Sequence, residues 1–199
     1  MNPLQSKLSL NNIPYKSSDF KTEVHFIGQL IGVSKFNSSD GVFCDVQLHI
    51  SDDWKQLAPN PDFQTQTAYS NFSDIAIFAH QFDILVGTNS LFNWPRLICR
   101  LWKLDDSGKI DILSYGVTTL PNTSGYHEIE FNTWILQGNL KTEIMEFFLE
   151  SKPKMNSTDP VSYDLKNRKE LFSKPGPVIH YDCNVILKNF YINSISGQN

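Results

Sequence analysis

Three groups of side chains in this sequence could do chemistry. His180 and Asp182 are two positions apart, so an extended strand would project both from one side, where a metal ion or an exchanged proton could be shared. The alternation around them reads instead as a strand with a solvated face. His80 and Asp83, three positions apart, read as a pair stabilising a loop through side-chain to backbone bonds. Asp105, Asp106 and Asp111 cluster in and just beyond a polar turn, the one place where carboxylates gather as calcium's six to eight oxygen ligands require. Lys103 stands against that use, because a cation there removes a donor and repels the ion. Asp45, Asp52 and Asp53 do not complete a ligand set. There is no G-x-S-x-G elbow, no phosphate loop and no H-E-x-x-H pair. No catalytic residue, metal or cofactor is therefore assigned, and nothing here predicts an enzyme.

The elements that hold these residues read as strands. Pro95 opens a run in which Leu97, Cys99 and Leu101 share one face and Ile98, Arg100 and Trp102 the other. The acidic turn follows, then a second strand over 110–120, giving an antiparallel pair. Residues 23–33 form a long strand, apolar on both faces in places, whose Gly28 and Gly32 imply a bulge or a close backbone approach. Residues 42–50 and 179–187 alternate with a period near two. Shorter strand pieces are expected near 64–68 and over 75–78, 82–86, 127–131 and 134–137. The spacing predicts an all-β antiparallel sandwich of about eight strands.

One helix is expected over 139–150, capped by Asn139 with Leu140, Ile144, Phe147 and Phe148 in a stripe, before a loop over 152–176. Residues 1–20 read as an extension, 21–192 as a single domain and 193–199 as a tail. With 199 residues, 40% of them hydrophobic, there is enough chain for a sizeable core. A net charge of −4 argues against a general nucleic-acid binder. The three cysteines, Cys44, Cys99 and Cys183, are spread apart and read as buried thiols in a reducing compartment. With no leader and no long apolar run, Asn71-Phe72-Ser73 is not expected to carry sugar.

Several short motifs resemble the B9-domain family in order and spacing. They are residues 23–32, Phe43-Cys44, Trp54-Lys55, residues 79–83, Trp94-Pro95-Arg96-Leu97, Tyr115-Gly116 and residues 187–190. Gly28, Gly32, Trp54, His80, Asp83, Trp94, Pro95, Arg96, Leu97 and Gly116 carry the match. The resemblance implies a C2-like sandwich, a scaffold subunit at the ciliary transition zone and basal body, on the cytoplasmic side and associated with the cytoskeleton. It implies other B9-domain proteins and transition-zone membrane proteins of the Meckel-syndrome or tectonic-like complex as partners, with roles in ciliogenesis and in gating ciliary proteins. Peripheral membrane contact without calcium is the second reading. The sequence departs from the family in its 1–20 extension and in Gln81, where His-Pro is usual. Lys103, with Asp105 and Asp111, marks a degenerate calcium loop, since an acidic residue normally follows that tryptophan in C2 domains.

Overall fold

The computed structural model describes residues 22–36, 39–58, 60–70, 75–137 and 173–190. Its strands are β1 (Thr22–Ser34), β2 (Gly41–His49), β3 (Trp54–Gln56), β4 (Phe63–Gln64), β5 (Ala68–Tyr69), β6 (Ile75–Thr88), β7 (Arg96–Leu104), β8 (Ile110–Thr119), β9 (Gly125–Leu136) and β10 (Ser173–Lys188). All pair antiparallel along one path, β3-β6-β1-β10-β9-β8-β7-β2-β4, with β5 beside β2. A single residue pair, Tyr115 and Trp134, joins β8 to β9. The path folds over at that seam, so β3-β6-β1-β10-β9 and β8-β7-β2 become two facing layers, the expected sandwich.

Alternation explains the core. From one layer Val24, Phe26, Leu30 and Val33 of β1, Ile84 and Val86 of β6, and Ile179, Tyr181 and Cys183 of β10 point inward; Val42, Cys44, Val46, Leu97, Cys99 and Leu101 meet them from the other. Each of the larger aliphatic and aromatic side chains, fully removed from water, contributes on the order of 2 kcal/mol. Ile98, on the opposite face of β7 as expected, joins a small second cluster with Ile112 and Tyr115, covered by Trp102 and Trp134.

The structure corrects the expected boundaries in four places. The pieces 75–78 and 82–86 are one strand, β6, interrupted by a register shift where Ala79 takes a positive φ of 49°. The pieces 127–131 and 134–137 are likewise one strand, β9. The segment near 64–68 is two short pairings, β4 and β5, and the described residues form ten strands where about eight are expected. Finally, β10 begins at Ser173, inside the expected loop. Pro175 and Pro177 are tolerated there because a register shift separates Pro175 from Val178, and a bulge spares the sheet the amides that proline lacks. The expected helix over 139–150, most of the 152–176 loop, the 1–20 extension and the 193–199 tail lie outside the described residues.

All three cysteines are free and buried. Burial pushes the Cys183 thiol from its ordinary 9.0 up to about 12, and burial, then the neighbouring Cys99 thiol, pushes Cys44 well above 9.0. The folded state thus keeps protons that the unfolded chain releases. This stabilisation is complete below about pH 9 and is lost as pH rises from there, with a slope of at most about 1.4 kcal/mol per pH unit for each thiol. Urea midpoints should therefore fall between pH 8 and pH 10. In the native protein a thiol reagent should label none of the three cysteines until the chain unfolds; rapid native labelling would contradict their burial.

Candidate interaction face and the carboxylate turn

Most of the residues with possible chemistry are already engaged. His180 and Asp182 do share the outer face of β10, but they serve different neighbours. The His180 Nε2 atom lies 2.6 Å from Ser34 Oγ and its Nδ1 atom 3.8 Å from a Glu130 oxygen, while the Asp182 carboxylate accepts the Gln29 amide at 3.0 Å. His80 and Asp83 lie on β6 rather than on a loop, and they face opposite ways. The His80 ring stacks on Phe63 at 4.7 Å, and Phe63 stacks in turn on Phe82. Asp83, on the outer face, lies 2.5 Å from His25 Nε2.

The turn between β7 and β8 shows the same commitment. The Asp105 carboxylate accepts bonds from Ser107 N, Ser107 Oγ and Lys109 N at 2.9, 2.6 and 2.9 Å. The Ser107 hydroxyl bond, then the Lys109 amide, holds this carboxyl below its usual range. Lys109 lies 3.5 Å from Asp111. Lys103 does more than withhold an oxygen: its ammonium sits 2.7 Å from Asp40, just before β2, and so spends that carboxylate too. Asp45 lies on β2 against Arg100 at 2.6 Å. Among the described residues no group of three or more His, Cys, Asp or Glu side chains could hold a metal ion.

The remaining motif residues are architectural. Trp54 and Trp94 meet edge to face at 5.1 Å, Trp94 also contacts Phe26 at 6.4 Å, and the Trp54 indole N–H donates to the Phe92 carbonyl at 2.8 Å. The Pro95 carbonyl accepts the Leu120 amide at 3.1 Å, so Pro95, Arg96 and Leu97 form the closed start of β7. A Cβ on Gly28 would lie 2.2 Å from the Asp182 carbonyl oxygen, one on Gly32 2.3 Å from that of Ala76, and one on Gly116 2.9 Å from the Phe131 ring. These three glycines set how closely strands and layers approach.

What sequence reading showed only in part, through the strand over 23–33 that is apolar on both faces, lies on the surface. The outer face of β6-β1-β10-β9 carries large apolar side chains in the open: Ile27 is 42% exposed, Ile186 49% and Tyr126 62%. In register, Ile27 stands between Asp83 and Asn184, Tyr126 lies beyond Asn184, and Ile186 is two residues further along β10. The three therefore surround Asn184 as a patch, rimmed by the His25–Asp83 contact and by a Lys188–Glu23 ion pair at 3.0 Å. Ile75 and Ile77 extend the apolar character toward the other end of β6. A second feature is the β6–β7 connection, where Leu91 and Phe92 are both exposed. Two adjacent apolar residues in the polar run 87–93 were the available signal.

The profile of the family described as "Ciliary basal body-associated, B9 protein" matches residues 24–186. Human B9 domain-containing protein 2 is 31% identical over 168 residues, covering 84% of this chain and 95% of that protein. The mouse tectonic-like complex member MKS1 is 32% identical over 79 residues, 39% of this chain and 14% of that protein. Among solved structures, a C2 domain of a plant extended synaptotagmin 1 aligns with a TM-score of 0.43 at 9% identity, over 86% of this chain and 97% of that one. With an antiparallel sandwich expected and observed, and the family profile spanning nearly the whole of it, the chain belongs to the ciliary basal body-associated B9 family.

Proposed function

We propose that this protein is a non-enzymatic scaffold subunit at the base of the cilium, on the cytoplasmic side of the transition zone. There it binds other B9-domain proteins within the tectonic-like, or Meckel-syndrome, complex and so supports cilium assembly and the gating of ciliary proteins. The observation that carries this reading is the patch of Ile27, Ile186 and Tyr126 on the outer face of the β1-β10-β9 layer. Apolar side chains gathered in the middle of a sheet face, with polar pairs at the rim, have the anatomy of a protein interface. The carboxylate turn supports the same reading, since Asp105 and Asp111 are already bonded or neutralised within the domain. In ciliated cells the tagged protein should concentrate at the ciliary base and co-purify with other B9-domain proteins; a diffuse protein recovered without them would sink the reading.

The same turn predicts indifference to calcium. A filled site at a hundredfold its Kd would stabilise the fold by about 2.7 kcal/mol. Thermal unfolding should give the same Tm in calcium and in chelator, and a rise with calcium would show that Lys103 does not block the site.

Leu91 and Phe92 favour a second reading, calcium-independent contact with the membrane at the ciliary base, because exposed apolar residues on a loop can enter the headgroup region. Trp54, beside Lys55, gives no such contact, being buried in the core. Flotation with anionic vesicles, lost on Phe92→Ser, is the result expected of that reading; absence of flotation would remove it.

A further inference from the structure

Among the described residues, one edge of the sandwich is largely unpaired. On one side β9 pairs with β10 from Gly125 to Leu136, but on the other only Trp134 is paired, with Tyr115 of β8. The physical cause is at Gly116. Lacking a Cβ, it lets Phe131 and Thr133 of β9 cross directly over β8, and the Phe131 ring lodges edge-on against Tyr181 at 6.0 Å. From that crossing β9 stays with its own layer while β8 departs with the other. Among the described residues no strand pairs with the stretch from Gly125 to Asn132 on the side away from β10, which leaves a length of about 27 Å at roughly 3.4 Å per residue. Every second residue there presents an N–H and a C=O outward, the template for another strand.

The side chains along this edge say what could add to it. Ile129 and Phe131, facing inward, are packed on the core yet only partly covered, so a further strand would complete their burial. On the outer face Glu128 and Glu130 are exposed, with Asp182 beside Glu128 in the register. Among the described residues, the only basic group that faces these acids across the register is His180, opposite Glu130. Two copies of this edge placed side by side would set glutamates against glutamates, which is destabilising for directly opposed cross-strand pairs. Self-pairing is thus disfavoured, and a strand of opposite charge is favoured.

We propose that the edge of β9 from Gly125 to Asn132 is a strand-addition site for an extended segment of a partner protein in which basic residues alternate with apolar ones. The basic side chains lie over Glu128 and Glu130 on the outer face, and the apolar ones close over Ile129 and Phe131. Backbone bonds provide affinity and the alternation provides register and specificity. This site adjoins the Ile27–Ile186 patch at Tyr126, whose hydroxyl donates to Glu128 at 3.1 Å, and it does not depend on the identity of the partners proposed above.

The test uses the full chain and two synthetic peptides of eight residues, one alternating lysine with valine and one alternating glutamate with valine. Hydrogen exchange should slow on alternate amides between 125 and 132 with the lysine peptide, and not with the glutamate peptide. Reversing the edge charge with E128K/E130K should weaken the lysine peptide about tenfold, as expected for two cross-strand pairs turned from attraction to repulsion, and strengthen the glutamate peptide. Equal binding of both peptides to the unmodified chain, no binding of either, or protection located elsewhere in the sequence would overturn the proposal. The two-peptide comparison on the unmodified chain stands even if the double variant fails to fold.

Discussion

Replacing Gly28 with valine is expected to abolish the folded state at 37 °C, and replacing it with alanine to cost about 3 kcal/mol. The position lies in the middle of β1, hydrogen-bonded on both sides to β6 and β10. A single added Cβ would come within 2.2 Å of the Asp182 carbonyl oxygen, 2.7 Å of the Phe82 ring and 3.0 Å of the Cys183 Cα. The ring can tilt, but the two backbone contacts cannot yield without moving β10 away from β1. The strands so displaced carry Phe26, Tyr181 and Cys183, all fully buried, so relief of the collision opens the core. With total stability for a domain of this size at about 5–15 kcal/mol, a loss of this kind in one central strand is a large share. Urea denaturation of the alanine variant measures it directly; a midpoint equal to that of the unmodified protein would contradict the packing described.

The second large effect is expected on binding rather than folding. Ile27→Asp together with Ile186→Asp should leave Tm nearly unchanged, since both side chains are about half exposed and face away from the core. Buried in an interface, an isoleucine is worth roughly 1.5–3 kcal/mol, and a carboxylate in its place adds a desolvation penalty. Affinity for a B9-domain partner should therefore fall at least about a hundredfold, a change of roughly 3 kcal/mol. Thermal unfolding checks the first half and calorimetric titration of the folded protein the second; unchanged affinity would remove this face from the interface. Asp83→Ala, at the rim, should have a much smaller effect.

Much of the fold was legible because period-two patterns survive wherever one face is buried. Leu97, Cys99 and Leu101 read as sharing one face and are fully or almost fully buried, and Gly28 and Gly32 read as a bulge or a close approach, where the structure has close approaches at both and a register shift beside Gly32. The strand joining 75–78 to 82–86 escaped because Ala79-His80-Gln81 has the composition of a break, while the chain crosses it with one bulge. His80 looked like a loop residue for the same reason, and its stacking on Phe63 depends on a pairing between distant segments. The carboxylate turn was half legible. Lys103 signalled a lost ligand, but its bond to Asp40 exists only because β2 and β7 are neighbours, with Val42 opposite Lys103. The apolar patch was legible in part. The strand holding Ile27 read as apolar on both faces, but Ile186 read as an ordinary strand residue, and only the register of β1 with β10 brings the two around Asn184. The open edge of β9 is also a property of the folded sheet, because it follows from where β8 and β9 part.

The scaffold reading is tested most directly by sedimentation velocity on this protein mixed in solution with another B9-domain protein, each purified alone. A single faster boundary at the combined mass, reverting to two slower ones with the Ile27→Asp and Ile186→Asp variant, is the predicted result. Two boundaries at the rates of the separate proteins, at concentrations well above micromolar, would contradict a B9-binding subunit.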